Sequence, residues 1–215
     1  MKKQILIPLF PLEVVLFPYL PLPLHIFEDR YKIMIQDCLK DQQDFGVVYT
    51  REERMERVGC TAKIVQVIRK YDDGCMDLMI QGNFRFRIEK ILRDKDYLQA
   101  MITYFDDDDP DDKADIRTLA QTGINLIENL EKMAINRSDF KFVESLSDKV
   151  ISYILTGISG FTMYQKQYFL EMTSTTERLR SGIEQLKQIV AHARIKEQHK
   201  NPWEEAPTFR KFTLN

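Results

Sequence analysis

The sequence predicts an α+β protein in two halves, β-rich to about residue 105 and helical beyond residue 112. Three observations carry this. Between Cys60 and Phe105, short runs of alternating apolar and polar residues are punctuated by Gly74, Gly82 and Asn83, as strands and turns require. From Ile116 onward the apolar spacing changes to steps of three and four, the period of helices. Between the halves, DDDDPDD at 106–112 sets six aspartates around Pro110 and reads as a solvated acidic linker. It lacks the glycine and terminal glutamate of an EF-hand loop, so no calcium site is expected.

Taken in order, the stretch from Ile5 to Tyr31 is almost wholly apolar yet holds five of the eight prolines: Pro8, Pro11, Pro18, Pro21 and Pro23. Proline has no backbone donor and a fixed φ. The stretch is therefore expected to form short, buried extended pieces joined by bends, with no continuous helix and no central strand. A helix follows from about Glu28, with Tyr31, Met34, Ile35, Cys38 and Leu39 on one face. DFGVVYT reads as a strand and the charged run REERMER as a solvated loop.

In TAKIVQVIRKY, alternation puts Ala62, Ile64 and Ile68 on one side and Lys63, Val65, Val67 and Arg69 on the other. Asp72-Asp73-Gly74 is a hairpin turn, with glycine free to take positive φ. The returning strand carries Met76, Leu78 and Ile80 on one face. FRFRI then places Phe84, Phe86 and Ile88 opposite Arg85 and Arg87, and YLQAMITYF is the last strand.

In the second half, Ile116, Leu119, Ala120, Leu126, Ile127, Leu130, Met133 and Ala134 form one amphipathic stripe. Leu146, Val150, Ile151, Ile154 and Leu155 form another, stopped by Gly157 and Gly160. Thr162 with Gln165, and Ser174 with Glu177, have capping-box spacing. Leu179, Ile183, Leu186, Val190 and Ala193 repeat like a coiled coil, but the run is short and fits packing within a bundle. The tail at 202–215, with Trp203, Phe209 and Phe212, is either a docked strap or a free aromatic peptide; the cost of exposing aromatics favours the strap.

Thirty-one Lys and Arg against 33 Asp and Glu leave a net charge of −2, which disfavours a general nucleic-acid binder. Cys38, Cys60 and Cys75 are odd in number and scattered, as in a cytoplasmic protein with inert thiols. MKKQILIPLFPL superficially resembles a signal peptide, but Glu13 and the prolines interrupt it and no small-residue cleavage site follows. The same interruptions argue against a membrane span. Phosphate-loop, GxGxxG, HExxH and GxSxG motifs are all absent. His192 and His199 are two metal ligands without a third, and His25 reads as a hydrogen-bonded structural residue. The expectation is a protein with no cofactor, no metal and no catalytic residues.

What remains is aromatic material: Phe10, Phe17, Tyr19, Phe27, Tyr49, Phe84, Phe86 and Tyr104. Most of it should be core. Some can line a groove beside the proline-bent segments, where unpaired backbone could accept an extended peptide. Arg69, Arg85 and Arg87 either frame such a site or form a solvated strand face, and alternation favours the solvated face.

The opening IPLFPLEVVLFPYLPLPLHIFEDRYKIMI, then FGVVYT, VGCTAKIVQVIRKYDDGCMDLMIQGNFRFRI and YLQAMI in that order, resembles the amino-terminal substrate-binding domain of Lon proteases over roughly residues 5–105. QKQYFLEMTSTTERL is similar to the helices that follow this domain in Lon and in short stand-alone bacterial relatives. The resemblance implies a PUA-like β-barrel with one helix at 1–105, a linker at 106–112, a helical bundle at 113–201 and the tail. Asp29 departs from the proline many relatives carry there, which bears on the helix entry alone. Neither Lon's ATPase module nor its serine-lysine peptidase motif is present, so a non-enzymatic binding module is expected. Its partners would be unfolded polypeptide or a specific protein. Its site residues would be Phe17, Tyr19, Leu20, Tyr49 and Arg69, chosen on composition and position. The rival is an RNA-binding PUA-like module, with FRFRI as a stacking platform.

Overall fold

A computed structural model of the chain describes residues 3–52, 54–108, 113–133, 146–158 and 160–198. The chain runs β1 (Ile5–Leu12), β2 (Pro21–Ile26), α1 (Asp29–Asp41), β3 (Phe45–Arg51), β4 (Arg54–Lys70), β5 (Met76–Leu92) and β6 (Gln99–Tyr104). Four helices follow: α2 (Lys113–Met133), α3 (Asp148–Gly157), α4 (Met163–Glu171) and α5 (Thr175–Gln198). Ala134, His199 and the aromatic tail lie outside the described residues, as does the acidic run beyond Asp108.

The strands form one mixed sheet in the order β2-β5-β4-β3-β1-β6, and β6 returns to pair with β5. β5 makes this possible by serving different partners along its length. Met76 to Gln81 pair with β2, whereas Phe86 to Leu92 pair with β6. The sheet thus curls on itself while β2 hangs outside the ring as an edge. The result is an α+β fold with a curled mixed sheet rather than a clean barrel.

β1 corrects the expectation that prolines bar a central strand. It is parallel to β3 through Leu9–Leu12 and antiparallel to β6 through Ile5–Pro8. Leu9 N–H donates to Leu98 at 2.7 Å, so the odd-numbered donors of β1 face β6 and the even-numbered ones face β3. Pro8 therefore turns its missing donor towards β3 before that ladder begins, and Pro11 towards β6 after that ladder has ended. The strand changes partners where its prolines require it to.

Three apolar clusters hold the fold. One fills the curled sheet with Ile7, Leu9, Val48, Phe86, Ile88 and Ile102. A second packs Tyr31, Met34, Ile35 and Cys38 of α1 against Phe10, Phe45, Leu78 and Ile80. The third joins Ile124, Ile127, Ile151, Leu155, Phe169, Leu179, Ile183 and Leu186 of the helices to Phe17 and Val58 of the sheet half. The Thr162–Gln165 capping box is present in both directions, and Glu177 N–H donates to Ser174 Oγ at 3.1 Å. Gly74 takes φ +82° in the β4–β5 turn.

Several local expectations are corrected. The REERMER run is drawn into the sheet: Arg51 of β3 pairs with Arg54 of β4, and Glu52 takes φ +58°. Simple alternation fails in β4, because the register with β5 slips between Ile64 and Gln66 and again between Val67 and Arg69. Each slip inserts an extra residue and resets the phase. Val65 and Ile68 are consequently exposed, while Ile64 and Val67 pack on the core. A third slip, between the Cys60–Arg85 and Ala62–Gly82 pairs, inserts a residue in β5. It sends Phe84 to the surface, against the expectation that it shares a face with Phe86.

Candidate functional site

A concavity lined by aromatic and charged side chains lies where the β1–β2 loop, the β5 bulge, the end of β6 and α3 meet. Its walls are Pro18, Tyr19, Phe84, Tyr104 and Phe105, its polar members are Asn83, Arg85, Asp106, Lys149 and Tyr153, and its volume is about 270 Å³.

Each wall has a local cause. Tyr19 adopts φ +67°, the left-handed region that a bulky side chain rarely visits. Surrounding bonds hold it there: Tyr19 N–H donates to Gly82 O at 2.8 Å, Gly82 N–H to Leu20 O at 3.0 Å and Gln81 Nε2 to Tyr19 O at 3.0 Å. A Cβ at position 82 would lie 2.0 Å from Phe17 O, so only glycine allows the loop this close. On β5, the Thr61 hydroxyl both donates to Phe84 O and accepts from Phe84 N–H, filling the bulge that turns Phe84 outward. Phe84 is 57% exposed and Tyr19 47% exposed. The Phe84 and Tyr104 rings lie 5.6 Å apart, and those of Tyr19 and Tyr153 6.5 Å apart.

Beneath the aromatics is a buried ionic cluster, which corrects two expectations. Arg85 is not on a solvated face; it is 2% exposed and donates to Leu170 O, Met172 O and Asp107. Asp107, in the run read as wholly solvated, has a side chain only 9% exposed. It also accepts from both terminal nitrogens of Arg178, at 3.1 and 2.6 Å, and from Thr175 Oγ1 at 2.5 Å. Burial alone would raise its pKa. The hydrogen bonds from Arg178 and Thr175 and the Arg178 and Arg85 charges outweigh that and hold it below the usual carboxylate range. The Tyr153 ring centroid lies 5.6 Å from the Arg85 guanidinium and 4.3 Å from that of Arg178. Burial raises the Tyr153 pKa. Lys149 pairs with Asp106 at the rim. Two buried polar atoms here, Arg85 Nε and the Tyr153 hydroxyl, have no hydrogen-bond partner among the described residues.

The five residues picked from the sequence do not converge on one place. Phe17 is buried under the groove, its ring 6.1 Å from that of Tyr153. Tyr19 lines the groove, and Leu20 is half-buried beside Gly157. Tyr49 is buried in β3 and borders a separate small pocket with Arg51 and Tyr164. Arg69 lies at the far end of β4, stacked over Tyr71 at 4.6 Å. The selection missed Phe84, Tyr104, Arg85, Lys149 and Tyr153. Phe84 and Tyr104 were legible as aromatics, but the bulge that exposes Phe84 has no sequence signal beyond Gly82-Asn83.

A larger hollow of about 690 Å³ lies between β2 and the start of α1, beside Phe10, Leu12, His25 and Phe27. Its edge strand is poorly suited to strand addition. Leu20 O accepts from Gly82 N–H, so the even-numbered residues of β2 bond to β5, and Pro21 and Pro23 face outward without donors. His25 Nδ1 sits 2.6 Å from Asp77 Oδ1, which agrees with a hydrogen-bonded structural role. Burial pushes the Cys38 thiol up to about 12 and raises that of Cys60. Among the described residues, no three potential metal ligands converge and no helix is long and apolar enough to cross a membrane.

Comparison with known proteins agrees across sequence and structure. The family model for the ATP-dependent protease La (LON) substrate-binding domain matches residues 6–188, well into the helical half. Lon protease of Cytophaga hutchinsonii is 26% identical over 192 residues, covering 80% of this chain and 23% of that protein. Lon protease 2 of Myxococcus xanthus is 30% identical over 129 residues, covering 56% and 15%. The chain spans less than a quarter of these relatives' length. The N-terminal domain of Lon protease from the Mycobacterium avium complex is similar in fold, with TM-score 0.68 and 21% identity over 85% of this chain and 98% of that one. A Lon N-terminal domain protein from Xanthomonas campestris gives TM-score 0.65 and 21% identity over 82% and 96%.

Proposed function

The chain belongs to the Lon substrate-binding domain family, and on that footing we propose that it binds exposed apolar and aromatic segments of polypeptides in the Tyr19–Phe84–Tyr104 groove. Binding needs no nucleotide, and the role is that of a cytoplasmic adaptor or holding factor. The observation that carries the site is the cluster of exposed aromatics on fixed backbone. Tyr19 is pinned by Gly82, and Phe84 by a filled bulge. Aromatic side chains held in place lose little entropy on contact, which is why they dominate binding surfaces. The curled sheet, with β6 returning to β5, supports reading this half as PUA-like.

RNA recognition is the weaker reading. It relied on Arg85 as part of a stacking platform, and that side chain is buried and paired.

Fluorescence-anisotropy titrations with labelled unfolded polypeptide and labelled single-stranded RNA, each at low and moderate salt and without nucleotide, test the proposal. The expected result is saturable polypeptide binding that survives added salt. Phe84→Ala combined with Tyr104→Ala should weaken it by about 2 kcal/mol, the scale of an aromatic hot spot. RNA binding that collapses with salt would replace the proposal with the rival.

A further inference from the structure

The groove leaves three aromatic side chains open to water: Tyr19, Phe84 and Tyr104. Contiguous aromatic surface of this kind marks a place where something docks. The charges around it narrow the choice. Lys149, Arg85, Arg87 and Arg178 stand against Asp44, Asp106, Asp107 and Asp108; Asp44 is bonded to Asn83 of the groove lining, and Arg87 lies 5.5 Å from the Phe105 ring. Arg85, Arg178 and Asp107 are enclosed beneath the aromatics. Solvent meets Lys149 and Arg87 against Asp44, Asp106 and Asp108, a negative balance. In sequence the run continues with Asp109, Asp111 and Asp112 before Lys113, which adds to it. An aromatic groove with an acidic rim is complementary to an aromatic segment that carries basic residues.

The carboxyl-terminal tail carries such a segment. TFRKF at 208–212 sets Arg210 and Lys211 between Phe209 and Phe212. The tail also has the reach. α5 begins beside the groove, where Thr175 Oγ1 donates to Asp107 next to the groove residue Asp106. Its 24 residues place its end about 36 Å from its start. Counted from Gln198, an extended chain returns about 36 Å by Phe209 and about 46 Å by Phe212. Pro202 and Pro207 favour extended backbone on that path. We propose that the chain's own tail occupies the groove when no client is bound. A phenylalanine of Phe209–Phe212 sits among Tyr19, Phe84 and Tyr104, and Arg210 and Lys211 face the acidic rim. The tail is thereby an internal competitor that a client must displace. That the tail occupies the groove stands on the observations above; that it competes with a client rests on the proposed polypeptide-binding role.

Photocrosslinking within the full chain, with no ligand added, reads where the tail lies. A benzophenone amino acid at position 84 should join a fragment containing residues 209–215, at a yield independent of protein concentration, and the same probe at position 164 should not. No tail crosslink from position 84, or one from position 164 alone, would overturn the proposal. A yield that rises with concentration would assign the tail to a second copy and overturn docking within one chain. Affinity supplies the second readout. The full chain with Phe209→Ser and Phe212→Ser should bind labelled unfolded polypeptide about tenfold more tightly than wild type, as expected for loss of a tail held at about 1 mM effective concentration and binding at about 0.1 mM. Arg210→Glu with Lys211→Glu should tighten binding by a smaller factor, and an unchanged affinity there would overturn the contribution of charge. Equal affinities for wild type and the double Phe→Ser variant would overturn the competition while leaving the polypeptide-binding groove standing. A tail crosslink from position 84 with no polypeptide binding by either protein would keep the tail in the groove and defeat the polypeptide-binding role.

Discussion

Asp107 carries its charge into a space enclosed by Arg85 and Arg178, and the cost of desolvating all three is offset only while the set is complete. Asp107→Asn should therefore destabilise the protein by about 3–5 kcal/mol at neutral pH, because it strands two buried guanidiniums. The pH dependence has a definite sign. A carboxylate whose folded pKa is depressed contributes stability above its unfolded pKa, about 3.9, and loses it as pH falls through the folded value. The gap between wild type and Asp107→Asn should narrow below about pH 4, as read by urea denaturation at several pH values. Gly82 offers a second test. Its substitution by Ala pushes a methyl group into the Phe17 carbonyl and should cost about 3 kcal/mol, the upper end for overpacking, while releasing Tyr19 from its left-handed conformation. Neither role was legible in the sequence. Asp107 sits in a run of identical aspartates, and Arg85 sits in an alternating strand; only the arrival of α5 and the α4–α5 connection makes them core residues.

At the scale of elements the sequence was more informative, since periodicity located α1, the Gly74 hairpin and the Thr162 cap close to where they stand. Thr162→Ala should cost about 1 kcal/mol in thermal unfolding, the usual value for a lost N-cap. Where the reading failed, it failed at register. Two inserted residues in β4 bring Val67 inward and Ile68 outward, the reverse of strict alternation. Urea titrations can tell the two patterns apart. Ile68→Ser should lie within about 0.5 kcal/mol of wild type, and Val67→Ala should cost about 1–2 kcal/mol. The prolines of β1 misled for a related reason: a strand's tolerance of proline depends on where its neighbours begin and end, which one strand's sequence does not encode.

At the scale of the whole molecule, the acidic seam divides the chain in sequence without dividing its energetics. Phe17 and Val58 of the sheet half pack among the helices, and Arg85 donates to carbonyls of α4 and the segment after it. A truncation at residue 105 would expose that apolar cluster and leave Arg85 without its partners. The full chain should unfold in one transition by circular dichroism, and the 1–105 fragment should melt well below it or not fold. The α+β division and the family were both legible beforehand, because motif order survives where individual contacts do not. The binding site was half legible: aromatic content announced it, but the bulge and the helix that complete it are three-dimensional facts.

The central claim is that polypeptide enters the groove between Tyr19, Phe84 and Tyr104, and site-specific photocrosslinking tests it most directly. A benzophenone amino acid would replace Phe84 in one protein and Tyr164, an exposed aromatic on α4 away from the groove, in another. Each would be irradiated with labelled unfolded polypeptide. Crosslinking from position 84, suppressed by excess unlabelled peptide and weak from position 164, is the predicted result. Equal labelling from both positions, or labelling from 164 alone, would contradict it and place the polypeptide elsewhere on the molecule.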